Sequence, residues 1–206
     1  MLQFIRRLLM RLIRGADGVK TFWAELKPCD HVVEMYEAEE EFVASLESYV
    51  RGGIAAGDSV LLIATKAHLS ALEQRLASAG LDLCEARKQD TYIELDAEET
   101  LARFMVNGWP DEKRFQEVVG GLLARAGMNG AKVRAFGEMV AILWAKKLYA
   151  ATVQLEHLWQ RLCGEKGLSL LCAYPVSGPT DSVARSMREI CEAHTHVITK
   201  FGLSPS

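Results

Sequence analysis

The sequence predicts a three-layer, Rossmann-like α/β domain, with a mostly parallel sheet and helices on both faces. Three observations lead there. Short runs such as Ser59–Ala64 and Leu168–Ala173 have the continuous hydrophobicity of strands covered on both sides. Between such runs lie longer stretches whose apolar residues recur at helical spacing. The two kinds alternate along the chain, which favours a parallel sheet over separate β and α layers.

Taken in order, His31–Tyr36 reads as the first strand. The acid-rich turn Glu37–Glu41 opens a helix, where negative charge suits the macrodipole, and Phe42, Leu46, Tyr49 and Val50 form its buried stripe. Gly52, Gly53 and Gly57 are expected to break the chain before the strand Ser59–Ala64. Leu69, Leu72 and Leu76 mark a second helix, stopped by Gly80. Two shorter strands are expected near Leu83–Ala86 and Tyr92–Leu95, and Asp96 suits the N-cap of a helix carrying Leu101 and Phe104. Asn107–Pro110 reads as a loop, and Phe115–Leu123 as an amphipathic helix ended around Gly127–Gly130.

Lys132–Trp144 joins a buried strand to an apolar helix, turning at Gly137 with one acid, Glu138, in the helix's first turn. Leu155, Leu158, Trp159 and Leu162 face the core from the next helix, and Leu168–Ala173 is the last clear strand. Pro179–Thr180 introduces a long final helix with the stripe Val183, Met187, Ile190, Cys191, His194 and Val197.

The compact domain is expected over residues 28–200, with a short tail at 201–206. Residues 1–27 stand apart as a basic amphipathic helix and its connector. Leu2, Ile5, Leu8, Leu9, Leu12 and Ile13 share one side of that helix, while Arg6, Arg7, Arg11 and Arg14 supply charge. Such a helix suits docking on a partner, on a second copy or on its own domain, and less often a membrane surface.

The net charge of −3 over 206 residues exerts no pull on nucleic acid, so direct nucleic-acid binding is not expected. No apolar run is long enough to cross a bilayer. Five cysteines without a C-x-x-C pair argue against a disulfide framework and for a reducing cytoplasm, with peripheral contact through residues 1–15 as the remaining membrane role. Cys84 and Cys172 are expected in strands, as small core residues.

The search for chemistry proceeds by elimination. After Ser59–Ala64 the chain reads Thr65-Lys66-Ala67-His68, without the glycines or the Gly-Lys-Ser/Thr ending of a phosphate cradle, so ATP hydrolysis is not expected. No G-x-S-x-G elbow is present. The histidines at 31, 68, 157, 194 and 196 form no H-x-x-x-H pair, and a metal site would require unrelated segments to converge. No metal and no cofactor are expected.

What remains is a polar and aromatic set near strand ends: His31, Tyr36, Thr65, Glu138, Trp144 and Tyr174, with Glu156 and Trp159 one helical turn apart. Small-molecule pockets combine an apolar lining with a few placed polar groups, and these residue types fit. The alternatives stay open at this point: the tryptophans as core anchors, and Glu138 as a helix-start acid.

Several segments in order resemble the MEDS domain, the methanogen/methylotroph DcmR sensory domain. They are Asp30–Glu37, the Gly-Ile-Ala-Ala-Gly-Asp turn at 53–58, Phe136-Gly137-Glu138-Met139-Val140, Leu143-Trp144, Leu155–Trp159, Leu170–Pro175 and Ile190–Val197. The resemblance implies a RecA-like core lacking the ATPase loop, and a prokaryotic signal-transduction domain proposed to sense simple hydrocarbon derivatives. The family's histidine-to-tyrosine motif falls on His31 and Tyr36, its Gly-Glu motif on Gly137 and Glu138, and its tryptophans on Trp144 and Trp159. Relatives are often joined to kinase, DNA-binding or anti-sigma-type modules, for which this chain has no room.

The expectation is therefore a non-enzymatic cytoplasmic sensor that binds a small organic molecule near Glu138. It would signal through a kinase, anti-sigma or transcription-regulator partner, or through a homo-oligomer. The alternative is an interaction scaffold on a degenerate RecA-like core, docking through its N-terminal helix. A degenerate nucleotide binder rests on fold analogy alone.

Overall fold

A computed structural model describes residues 22–176, 181–199 and 202–205. The basic helix expected over residues 1–15 and the turn at Pro179–Thr180 lie outside the described residues. In chain order the strands are β1 His31–Tyr36, β2 Ser59–Ala64, β3 Tyr92–Asp96, β4 Met105–Val106, β5 Trp109–Pro110, β6 Val133–Gly137, β7 Ser169–Pro175, β8 His196–Thr199 and β9 Gly202–Pro205. The helices are α1 Glu39–Ala56, α2 Lys66–Ser78, α3 Cys84–Lys88, α4 Ala97–Ala102, α5 Glu112–Phe115, α6 Gly121–Ala126, α7 Met139–Ala145, α8 Tyr149–Lys166 and α9 Asp181–Glu192. A π-helical turn, Gln116–Gly120, joins α5 to α6.

Seven strands form the main sheet in the order β3-β2-β6-β7-β1-β8-β9. The first six run parallel, and β9 closes the edge antiparallel to β8. Alternation along each strand divides the core in two. Val32, Leu62, Phe136 and Leu171 meet Phe42, Leu46 and Leu72 of α1 and α2 on one face. Val33, Leu61, Ala135 and Leu170 meet Leu101, Phe115, Met139, Leu155 and Trp159 on the other. This is the expected three-layer α/β architecture. Among the described residues no helix is long and apolar enough to cross a membrane.

Six local expectations differ from the structure. Gly52 and Gly53 do not break the chain: α1 runs through them and ends at Gly57, which takes the left-handed conformation with φ 76°. A Cβ at Gly52 would come within 2.9 Å of the Trp23 carbonyl oxygen, and one at Gly53 within 3.0 Å of the Arg134 side chain. Close packing, not chain reversal, accounts for the pair. Leu83–Ala86 is not a strand; the segment Cys84–Lys88 is a helix with Cys84 exposed, while Leu83 and Ala86, three residues apart, pack on the core from one side of the turn.

Asn107–Pro110 is more than a loop. Asn107 and Gly108 both take positive φ, 50° and 78°, and link β4 to β5 as a two-residue hairpin. The final helix ends at Glu192, and the β-branched run His196–Thr199 pairs parallel to β1 as an added strand. Gly202–Pro205, placed in the expected tail, is the edge strand β9. The connector before residue 28 is also anchored, since Trp23 is fully buried edge-on to Tyr49 at 5.2 Å.

Candidate functional site

The turn after β6 places Glu138 at the carboxyl end of the sheet, where open α/β folds leave a crevice. Its backbone N–H continues the ladder to Ile63 O at 2.8 Å. Glu138 occupies the N-cap position of α7, yet its side chain makes no capping bond to that helix. It reaches across to the β2–α2 turn instead. Thr65 N–H donates to Oε2 at 2.7 Å, Thr65 Oγ1 donates to Oε1 at 3.2 Å, and His68 Nδ1 donates to Oε1 at 2.8 Å. Thr65 caps α2 at the same time by accepting from His68 N–H. A buried carboxylate taking three donors from a neighbouring turn is not merely a helix-start acid.

The cluster extends toward solvent. His68 Nε2 also contacts Glu39 Oε1, in the first turn of α1, so one imidazole bridges an exposed and a buried carboxylate. Tyr36, at the end of β1, stacks on Phe42 with centroids 4.5 Å apart, and Phe42 meets the His68 ring edge-on at 5.0 Å. Two residues back on β1, buried Glu34 accepts from Ser45 Oγ at 2.8 Å. Sequence reasoning found Tyr36, Thr65 and Glu138 but missed Glu34, Glu39 and His68.

Burial pushes the Glu34 carboxyl up to about 8, against the Ser45 hydrogen bond. Burial opposes a charged His68, but the hydrogen bonds and charges of Glu138 and Glu39 outweigh it and hold the imidazole above its ordinary value. Burial also raises Tyr36, aided by the negative charges of Glu39, Glu138 and Glu34.

Groups raised in this way bind more protons in the folded than in the unfolded protein. Their contribution is complete below the unfolded values and is lost as pH rises through the folded ones. Stability is therefore expected to fall by on the order of 4–5 kcal/mol as pH climbs through the Glu34 window, which runs from 4.5 to about 8. Glu34→Gln should flatten most of that fall, read as denaturant midpoints across the window. A wild type with the same midpoint at both ends would contradict this assignment.

A second cluster lies on the opposite face of the sheet. His31 on β1, Glu156 on α8, Cys172 and Tyr174 on β7, and His194 after α9 are all buried. His31 Nε2 stands 3.5 Å from Glu156 Oε2 and 3.5 Å from Cys172 Sγ. His194 Nε2 is 3.5 Å from the same Glu156 oxygen, and Tyr174 donates its hydroxyl to Glu156 Oε1. Burial opposes the Glu156 charge, yet the His194 and His31 imidazoles and the Tyr174 hydroxyl hold its carboxyl down at about 2. Burial, reinforced by His31 and opposed by Glu156, lowers the His194 imidazole below its ordinary value. His31, Glu156 and Tyr174 were in the sequence set; Cys172 and His194 had been read as core residues.

The tryptophans serve the core around this second cluster. Trp144 meets Tyr149 and Tyr174 with centroids 4.7 and 5.6 Å away. Trp159 lies edge-on to Phe115 at 5.4 Å, with its indole beneath Gly137. A Cβ at Gly137 would come 3.0 Å from Trp159 Cζ2, so the glycine gives the indole room under the strand end. Gly137→Ala is expected to cost about 1–3 kcal/mol through overpacking, measured by urea unfolding; no loss would show that Trp159 shifts freely. The nine predicted residues thus divide: Tyr36, Thr65 and Glu138 on one face, His31, Glu156, Tyr174, Trp144 and Trp159 on the other, with Gly137 at the boundary.

The model of the family described as MEDS, MEthanogen/methylotroph, DcmR Sensory domain, matches residues 30–195. Among solved structures, the chain is similar to the KaiC-like protein PH0186 from the hyperthermophilic archaeon Pyrococcus horikoshii OT3, at TM-score 0.55 and 13% identity. That alignment covers 84% of this chain and 72% of the other, and at such identity it speaks to the fold alone. It agrees with the RecA-like core. No curated protein matches the chain.

Proposed function

The chain belongs to the MEDS family of sensory domains, and from that premise we propose that it is a non-enzymatic sensor of a small organic molecule at the Glu138 cluster. The observation that carries this reading is the buried Glu138 carboxylate at the carboxyl end of the sheet, joined through His68 to Glu39 at the start of α1. A donor group on the ligand, such as a hydroxyl or ammonium, takes the place of His68 on Glu138, while the half-buried Tyr36 ring, backed by Phe42, offers aromatic surface to its carbon skeleton.

The surrounding charge narrows the ligand class. In a phosphate-binding α/β fold, a helix start after an early strand meets the anion; here Glu39, Glu40 and Glu41 fill the first turn of α1. A neutral or cationic molecule fits this environment, including the simple hydrocarbon derivatives suggested by the resemblance. Phosphorylated ligands are repelled.

A ligand transmits a change only through different affinities for two conformations. Release of His68 from Glu138 frees the first turn of α2 from the strand end and loosens its contact with α1. Those helices then carry the change to a signalling protein or a second copy of the chain.

A thermal-shift and calorimetric panel of short alcohols, amines and halocarbons tests the proposal. At least one class is expected to raise Tm, and Glu138→Gln to weaken that ligand by tenfold or more, a loss of about 1.4 kcal/mol. The exposed control Glu85→Gln should leave binding intact. No binder across the panel, or equal affinity in Glu138→Gln, would refute the site.

A further inference from the structure

We propose that His31, Glu156, Cys172 and His194 form a closed four-coordinate zinc site, distinct from the Glu138 cluster and independent of the ligand reading. One ligand atom from each of the four lies within 4.8 Å of the others. The closer separations are 3.4 Å for Cys172 Sγ to Glu156 Oε2 and 3.5 Å for each imidazole Nε2 to that oxygen. Zinc bonds of about 2.0–2.3 Å in a tetrahedron place neighbouring ligand atoms roughly 3.3–3.8 Å apart. The side chains already stand near that spacing.

The surroundings orient the donors. His31 Nδ1 donates to Gln160 Oε1 at 2.7 Å, and His194 Nδ1 donates to the Ile190 carbonyl at 2.6 Å. Both imidazoles therefore turn an Nε2 lone pair inward, the orientation that outer hydrogen bonds impose on metal-binding histidines. Tyr174 holds the other Glu156 oxygen. The set of two imidazoles, one thiolate and one carboxylate excludes magnesium and calcium, which take oxygen ligands, and suits zinc. One carboxylate and one thiolate also neutralise a divalent ion, as burial of all four residues demands.

A surface cleft borders the cluster on one side. A cleft of about 280 Å³ is lined by His157, Gln160, Glu189, Glu192 and Ala193. Gln160 bonds His31 directly, Ala193 precedes His194, and the two acids attract cations to the opening. On binding, the Cys172 S–H bond breaks, sulfur donates its electron pair to Zn²⁺, and the proton leaves to solvent; no group is oxidised or reduced. The His31 and His194 rings, tilted by 35° with centroids 3.8 Å apart, adjust as the ion enters. The bound ion fastens β1 and β7 to α8 and to the connection between α9 and β8.

Titration of the chelator-treated full chain with Co²⁺ and then Zn²⁺ tests the site. One Co²⁺ per chain is expected, with tetrahedral visible absorption and a thiolate-to-cobalt charge-transfer band, displaced by one equivalent of Zn²⁺ with a rise in Tm. Cys172→Ser should abolish the charge-transfer band, His194→Gln should weaken binding at least tenfold, and Glu138→Gln should change neither. Zinc-edge absorption of the wild type needs no variant to fold: one sulfur and three nitrogen or oxygen neighbours are predicted. Failure to bind one equivalent, absence of the thiolate band, persistence of that band in Cys172→Ser, or a zinc shell without sulfur would overturn the proposal.

Discussion

Replacing Glu156 by alanine is expected to destabilise the metal-free protein by about 3–5 kcal/mol, the typical cost of removing one partner from a buried ionic network. Glu156 is fully buried and accepts from Cys172 at 3.4 Å and from the Tyr174 hydroxyl, with His31 and His194 each 3.5 Å from its Oε2. Alanine leaves those polar groups around a cavity on the face that also holds Trp159 and Leu155. Part of the cost is the lost methylene packing and part is desolvation without a partner. Glu156→Gln, which can still accept from Tyr174, should lose less. Urea unfolding followed by tryptophan fluorescence measures both, and an alanine variant within 1 kcal/mol of wild type would mean that the cluster contributes little to folding.

Arg134→Ala should cost a similar amount, about 3–5 kcal/mol, at the opposite end of the sheet. Its guanidinium is buried on β6, with Nη2 donating to Asp58 Oδ2 at 2.8 Å and Nη1 donating to the carbonyls of Trp23 and Tyr49 at 2.6 and 3.1 Å. It also lies 5.2 Å over the Tyr49 ring. Alanine strands the Asp58 charge and leaves two buried carbonyls without these donors. It also removes the side chain against which Gly52 and Gly53 pack. Arg134→Lys should recover only part of the loss, because an ammonium lacks the planar fork that serves several acceptors at once. Denaturant midpoints of the three proteins test this; equal stability of the alanine variant would contradict it.

The sheet was legible because its central strands must be buried on both faces, and Ser59–Ala64 and Leu168–Ala173 are apolar apart from one serine each. The errors have physical sources. Ile190 and Val197 share a helical spacing, yet Val197 belongs to an edge-side strand whose burial comes from β1. Gly52 and Gly53 read as punctuation because their real partners, Trp23 and Arg134, are remote in sequence. The Asn107-Gly108 pair carries a hairpin signal, but the strands that flank it are only two residues long.

The candidate site was legible only in part, for the same reason. Glu138 stood out as a lone acid at a strand-to-helix turn. His68 looked like an ordinary residue in the first turn of α2, and only the β2–β6 pairing brings it to Glu138. Cys172 and His194 fit apolar patterns and carry no ligand spacing; they meet His31 through the pairing of β1 with β7 and β8. The convergence of unrelated segments, required for a metal site, occurs there.

The sensor reading is tested most directly by two-dimensional amide NMR of the full chain during titration with the strongest organic binder from the alcohol, amine and halocarbon panel. The amides of Thr65 and Glu138 should shift most, with Tyr36, His68 and the first turn of α1 following at the same apparent affinity. Shifts confined to other surfaces, or an unchanged spectrum at saturating concentration, would contradict a ligand site at Glu138.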